Sequence, residues 1–565
     1  MKKALFILCA LAMFASCDNE GLEILQNKDN RSLDNEAKIE GDFNGLKLNL
    51  AITLDNGTAT KATVKDGFAV NDVVFVTLTG YHSSGKYIEL KKTGASEWTA
   101  TPKNDIDLSL YDKSGTMTAV YFPYGSSLVP YSSAGSIQFD DEEGGETVYY
   151  GGLFYQAENA AYTITNDDVL CGTLNMVAPP LTGGAYEDDL FIHFDISGFT
   201  SGHNYVLYQE NVKPFRFTGI NSEGTVVWTA RNAGTSIQGY EDTANGIISF
   251  SGLLDASAVG TAVDYQFSII DWTDSIAYTR SAGSKTLSAS KYIGIGDISS
   301  ATWIATEFVD LGINSMVFPY DRIYWAKRNL GATADEGIAS FGRYYAWGDV
   351  HGYYIEPDLF EPDPVNFPEF SFEVCRHKFY ELPSPTPEVD ANGNLLPAYD
   401  AAKDSLKGFW RMPTYDEQSM LSANCSRTYS EWGVTLTSNR DGFEDRSIFF
   451  PATGEIQYED IYETWIDSVG FYPIDRKYTT LLDPEDATSE VEVYYGRYWL
   501  STKADDIPNP DPEGPVLERP YAFRVETYLN EAVYYGQFNW GSCGSGESEY
   551  TIGRPIRPVF TLPTE

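Results

Sequence analysis

With 81 acidic against 39 basic side chains in 565 residues, the chain has a formal charge of −42 and repels nucleic acid and anionic lipid headgroups. Its length exceeds what a single hydrophobic core fills. Its 42% hydrophobic and 14% aromatic residues exclude a disordered acidic chain, which lacks the side chains a core needs. The 39 tyrosines suit solvent-side strand positions and binding faces alike, because each offers area and a hydroxyl at low entropy cost.

Met1-Lys2-Lys3 is a basic start, Ala4 to Phe14 is an apolar run too short to cross a bilayer, and Ala15-Ser16-Cys17 is a small-small-Cys end. Residues 1–17 resemble a lipoprotein signal peptide cut before Cys17, whose thiol would carry the lipid; Phe14 stands where such signals prefer Leu. Asp18-Asn19-Glu20 resembles the acidic tag that sends lipoproteins to the outer face of the outer membrane in Bacteroides-type bacteria. No other apolar run approaches the roughly 20 residues of a spanning helix, so lipid is the expected anchor and the cell outer membrane the expected location. Beyond the signal only Cys171, Cys375, Cys425 and Cys543 remain. They form no disulfide framework and no zinc spacing, and mainly buried free thiols are expected, with one bridge among the last three left open.

Residues 18–36 are polar and aperiodic and read as a tether, with Arg31 an exposed candidate for trypsin-like cleavage. From 37 the pattern turns to strands. Leu46, Leu48, Leu50, Ile52 and Leu54 alternate with polar or small residues, which predicts one buried and one wet face, and Val73 to Leu78 follows an Asn-Asp turn. A second block begins near 161, marked by Leu190, Ile192, Phe194 and Ile196, by Tyr205 to Tyr208, by Ile247 to Phe250, and by Val263, Tyr265, Phe267 and Ile269. Short strands at this spacing predict tandem antiparallel β-sandwiches, 37–160 and 161–298. His82, His193 and His203 read as ordinary loop or sheet-face histidines.

The order of lipoprotein signal, tether, F-x-x-N-D before a strand, AVYFPY (119–124) and DDLFIHFDISGF (188–199) is similar to the fimbrillin family of surface lipoproteins and pilus subunits. The resemblance implies two sandwiches over about 37–298. It also implies, in pilus members, a trypsin-like cut, for which Arg31 is the candidate, and partner subunits that donate a strand to an open sheet edge.

A small-residue stretch, 285–302, reads as a linker before the last domain, 303–565. WAKRNLGA from Trp325, YYAWGD, FWRMPT (409–414), FFPATG (449–454), GRYWLST (496–502), YAFRV (521–525) and RPIRPVF strongly resemble the FISUMP domain, first noted in Fibrobacter. The resemblance implies an α+β, C-type-lectin-like fold after two mainly β domains. Residues 351–398 and 455–495 are long acidic excursions from its compact form.

The residues make sense apart from the family. Thr414 and Glu417 form a capping box opening a short helix through Met420 and Leu421, and Pro413 would stop a preceding strand. Trp325, Trp347, Trp410 and Trp499 read as core, and Arg411, Arg554 and Arg557 as partners of internal carboxylates. The core does not claim Tyr528, Asn530, Tyr534, Tyr535, Gln537, Asn539 and Trp540, so these are the candidate ligand-binding residues. In the resembling fold this last stretch is the ligand-facing surface. Aromatic faces stack on sugars and amides bond their hydroxyls. G-x-S-x-G, HExxH and Walker motifs are missing, and His351 and His377 have no evident nucleophile partner, so no catalytic residue and no enzyme is expected. No cofactor is expected either. Acidic clusters at 356–373 and 504–513 leave calcium open, but lack EF-hand spacing and the lectin Glu-Pro-Asn triplet. The expected function is a non-catalytic adhesin or fimbrial tip subunit whose partners are a glycan or surface protein and other pilus subunits. The alternatives are a structural pilus or anchor subunit, or a polysaccharide-binding lipoprotein of a glycan-utilisation system.

Overall fold

In a computed structural model the described residues are 36–55, 68, 70, 72–79, 86–103, 106–122, 129–133, 136–140, 155–177, 190–220, 224–230, 232–242, 246–288, 291–316, 321–352, 387–458, 471–474, 477–481, 490–503, 520–530, 533–542 and 553–562. Cys17, Arg31, Cys375, Cys543, His82, His377 and both acidic clusters lie outside them. The chain is mainly β, arranged in several sheets, and divides into two compact units. The first ends at Trp303 and the second holds Ser275–Thr279 and the residues from Ile304.

In the first unit an eight-stranded sheet runs in the order Glu36–Phe43, Leu46–Asp55, Val169–Val177, Tyr155–Ile164, Ser114–Phe122, Val73–Leu78, Tyr87–Lys92, Trp98–Lys103. The first two strands join through Asn44-Gly45, both at positive φ, the two-residue turn whose twist matches a hairpin. The Asp42 carboxylate accepts from the Gly45 amide at 2.8 Å. Leu46, Leu48, Leu50, Ile52 and Leu54 are buried while Lys47 and Asn49 are exposed, as the alternation predicts. In the second block Phe194 meets Phe267 edge-on at 5.3 Å, and Ile192, Ile196, Tyr265 and Ile269 are buried.

Two expectations about borders change. Residue 160 falls inside the strand Tyr155–Ile164, and the eight-stranded sheet extends through Val177, because Val169–Val177 pairs in parallel with Leu46–Asp55. A four-stranded sheet also joins Val129–Ser133 and Ser136–Asp140 to Phe215–Ile220 and Val226–Ala230, across that border. The supposed linker 285–302 contains the strand Lys291–Asp297, parallel to Leu190–Ser197, with Ile293 and Ile295 buried. Its alternating Ile residues outweigh its small ones.

In the second unit the strand Val559–Leu562 returns to pair with Arg322–Ala326, which pairs with Ile304–Asn314. The helix Tyr415–Asn424 starts with the expected capping box: Thr414 Oγ1 accepts from the Glu417 amide at 3.2 Å and Glu417 Oε2 from the Thr414 amide at 2.9 Å. Pro413 ends no strand, since only an isolated bridge, Arg411 with Val559, precedes it. All four tryptophans are buried. The Trp347 indole donates to the Leu500 carbonyl and that of Trp499 to the Tyr345 carbonyl, each at 2.8 Å. Phe450, Tyr498 and Phe523 pack together, Tyr498 and Phe523 stacked at 4.7 Å. Cys425 is a buried free thiol, and burial pushes its pKa up to about 12, so it stays protonated and inert.

Candidate recognition surface

The sheet that carries the candidate residues has the order Lys477–Leu481, Glu490–Lys503, Pro520–Asn530, Val533–Ser542. Alternation along a strand and register between strands decide which residues share a face. One row on the two central strands pairs Tyr494 with Thr527, Gly496 with Val525 and Tyr498 with Phe523; all are buried, against Trp325 and Phe450. The other row pairs Val493 with Tyr528, Tyr495 with Glu526, and Arg497 with Arg524.

The register of the outer strand divides the sequence-predicted set. Tyr535, Gln537 and Asn539 stand opposite Tyr528, Glu526 and Arg524, on the charged row. Tyr534 and Trp540 stand opposite Leu529 and Phe523, on the core row, and Asn530 stands opposite Val533 at the strand end. The pleat thus brings Tyr528, Tyr535, Gln537 and Asn539 to one face and sets Tyr534 and Trp540 at positions of the other. Tyr528 is half-buried and its hydroxyl donates to Glu526.

Sequence reasoning named Arg554 as a carboxylate partner but missed Glu455, Arg497, Arg524 and Glu526 beside them. Glu455 is buried, accepts from Arg554 Nε at 2.7 Å and from the Tyr495 hydroxyl at 2.9 Å, and has Arg497 at 3.8 Å. Arg554 is fully buried and lies over the Trp499 ring, 4.2 Å from its centre. Burial alone would raise the Glu455 pKa, but Arg554 and Arg497 hold it below the usual carboxylate range; burial, then Glu455, raises the Tyr495 phenol. Glu526, with no exposure, accepts from Arg524. Gly496 is required here, since a Cβ would come within 2.5 Å of the Thr453 amide nitrogen, and the Gly454 amide donates to the Tyr495 carbonyl at 2.7 Å. That close approach sets Glu455 next to the strand. The alternate residues of GRYWLST and YAFRV hold this row, but only the register, a long-range fact, aligns Arg497 with Arg524.

The other expected ion pairs divide. Arg411 grips Glu417 at 2.7 and 2.5 Å, and although burial opposes the charged forms, the pair lowers the Glu417 pKa and raises that of Arg411. Among the described residues Arg557 has no carboxylate within ion-pair distance. It donates to the Asn329 side chain at 2.8 Å and to the carbonyls of Ala326, Lys327 and Phe449, above the Phe450 ring. Main-chain oxygens satisfy it where a carboxylate was expected, and burial brings its pKa down to about 10.

In the first unit His203, Asp271 and Asp274 form the one group among the described residues whose ligand atoms could surround a cation, all within 4.8 Å. Its hydrogen bonds describe a clamped turn. Asp271 Oδ1 accepts from the amides of Thr273 at 2.9 Å and Asp274 at 3.3 Å, Oδ2 meets His203 Nδ1 at 2.8 Å, and the His203 ring stacks on Tyr205. The bond to Asp271 raises the His203 pKa. His203, read from sequence as an ordinary loop residue, thus has a defined turn partner 68 positions away.

The chain matches no known family profile and no curated protein. Among the described residues no helix is long and apolar enough to cross a membrane.

Proposed function

We propose that this chain is a surface-exposed outer-membrane lipoprotein, anchored through Cys17, that acts as a non-catalytic adhesin or fimbrial tip subunit. In this reading the first unit holds two fimbrillin-like sandwiches and the second is a C-type-lectin-like head of the FISUMP type. The observation supporting it is the division of the head's sheet into two unlike faces. One contributes Tyr494, Tyr498, Phe523 and Val525 to the core, and the other pairs Trp499 with Ala522 in a second buried cluster and also carries Arg497, Arg524, Glu526 and Tyr528. Core packing accounts for the four tryptophans, and the strand register puts Tyr528, Tyr535, Gln537 and Asn539 at positions of one row. A rigid sheet with aromatic and polar groups at fixed spacing suits stacking on a sugar or on a surface loop at little entropic cost.

Partner subunits would add to the first unit at the strands Glu36–Phe43 and Trp98–Lys103, which end the sheet order among the described residues. The test is binding of the whole chain to glycan and surface-protein arrays, with calcium and with chelator, beside the double variant Tyr528→Ala, Tyr535→Ala. Signal lost in a double variant that still melts like the parent supports the reading. Silence of the parent on every array overturns it.

A further inference from the structure

The charged face of the head contains an arrangement that its own fold does not explain. Arg497 and Arg524 are directly opposite on neighbouring antiparallel strands, a placement that brings Cβ atoms within about 5.5 Å and is unfavourable for like charges. Among the described residues the carboxylates that flank the pair are shared with other donors. Glu455 is taken by the bond from Arg554 and the Tyr495 hydroxyl, and Glu526 by the bonds from Arg524 and Tyr528. Among the described residues Arg497 thus stands beside a carboxylate already bonded by Arg554, and Arg524 shares Glu526 with Tyr528.

The two guanidinium groups also keep donors in reserve. Among the described residues Arg497 makes no hydrogen bond: its nearest carboxylate oxygen is at 3.8 Å, and it leans over the Tyr495 ring at 5.5 Å. Arg524 Nε is buried with no hydrogen-bond partner. Both side chains reach the surface, 29% and 38% exposed, while Glu455 and Glu526 beneath them have 1% and none. Two arginines at directly opposite register positions thus reach the surface beside buried carboxylates, with N–H donors unspent. That arrangement complements a bidentate anion, and a carboxylate fits it by shape and charge. Tyr528, one register step from Glu526 on the same row, supplies the aromatic edge against which a sugar ring can lie.

We propose that the Arg497–Arg524 pair is a carboxylate-binding site and that the ligand class of the head is an acidic glycan, one carrying uronic or sialic acid. This rests on reading the head as a recognition module, and it narrows that module's ligands from glycans in general to carboxylate-bearing ones. Selectivity comes from the N–H donors that Arg497 and Arg524 leave unused. The chain's overall negative charge slows the approach of a polyanion and makes the encounter faster as salt screens it, whereas the contact itself weakens with salt.

The experiment is titration calorimetry of the whole chain with matched probes: a galacturonate hexamer against its methyl-esterified form, and sialyllactose against lactose. The expected result is binding of at least one acidic probe, with a loss of about tenfold or more on removal of its charge and again in Arg497→Gln, the scale of one charge-assisted bidentate contact. Arg497 has no hydrogen bond to lose, so Arg497→Gln is expected to melt like the parent, and Arg497→Lys to recover part of the affinity. Failure of both acidic probes, equal binding of charged and neutral partners, or unchanged affinity in Arg497→Gln overturns the carboxylate site. If a neutral glycan or a surface protein still binds and loses affinity in the Tyr528, Tyr535 variant, the recognition module stands without this site. If nothing binds, both fall.

Discussion

The eight-stranded sheet of the first unit and the four-stranded sheet of the second are stabilised in different ways. The first buries Leu46, Leu48, Leu50, Ile52 and Leu54 along one strand and leaves the intervening residues wet, so its energy is mostly apolar area. The second buries apolar rings on one face and, beside Trp499 on the other, acidic and basic side chains: Arg554, Glu455 and Glu526 are almost wholly removed from water. Replacing such groups by packed apolar residues often costs nothing or stabilises, so they add little to net stability. Their consequence is positional. Glu526 bonds Arg524, and Glu455 lies 3.8 Å from Arg497, so both arginines sit beside buried carboxylates while their own side chains stay partly exposed.

Changes that break the pairing have the largest effect. Arg554→Leu removes the bond from Arg554 Nε to the buried Glu455, and is expected to cost about 3–5 kcal/mol in chemical denaturation. The Glu455, Arg554 double replacement by apolar residues should recover much of that. Leu50→Ala in the first unit creates a cavity and is expected to cost about 2–5 kcal/mol. If the double replacement is no better than Arg554→Leu, the pair contributes net stability and the contrast between the sheets weakens. Thr414→Ala removes the hydroxyl half of the capping box and should cost about 1 kcal/mol.

The smallest effect is a pH dependence in the first unit. The pKa of His203 is raised in the folded state, so protonation is favoured by folding. Its contribution is complete below the unfolded histidine value and disappears as pH rises through the folded value. The stability difference between the parent and His203→Asn should therefore shrink from pH 5.5 to pH 8, as about those values bracket an ordinary histidine. A difference that grows would contradict the clamp to Asp271.

Periodicity made the alternating strands legible: Leu46 to Leu54 and Ile192 to Ile196 announce their faces because one side is buried. The capping box and the buried tryptophans were legible for similar reasons, being local or forced by size. The border at 160 was not, because the parallel pairing of Val169–Val177 with Leu46–Asp55 joins residues more than a hundred positions apart. Arg557 looked like a carboxylate partner because Arg is seldom buried without one, yet backbone carbonyls hold it. At the candidate surface the residue types were legible but their face was not. Tyr534 and Tyr535 are neighbours in sequence and stand on opposite rows, a distinction that exists only once register is known.

That pair gives the most direct test. The whole chain, Tyr535→Ala and Tyr534→Ala would be compared on the same glycan and surface-protein arrays, each first matched for melting. Binding that is lost in Tyr535→Ala and kept in Tyr534→Ala is the result the charged-row account predicts. Binding kept in Tyr535→Ala and lost in a folded Tyr534→Ala would place recognition on the other row and contradict it.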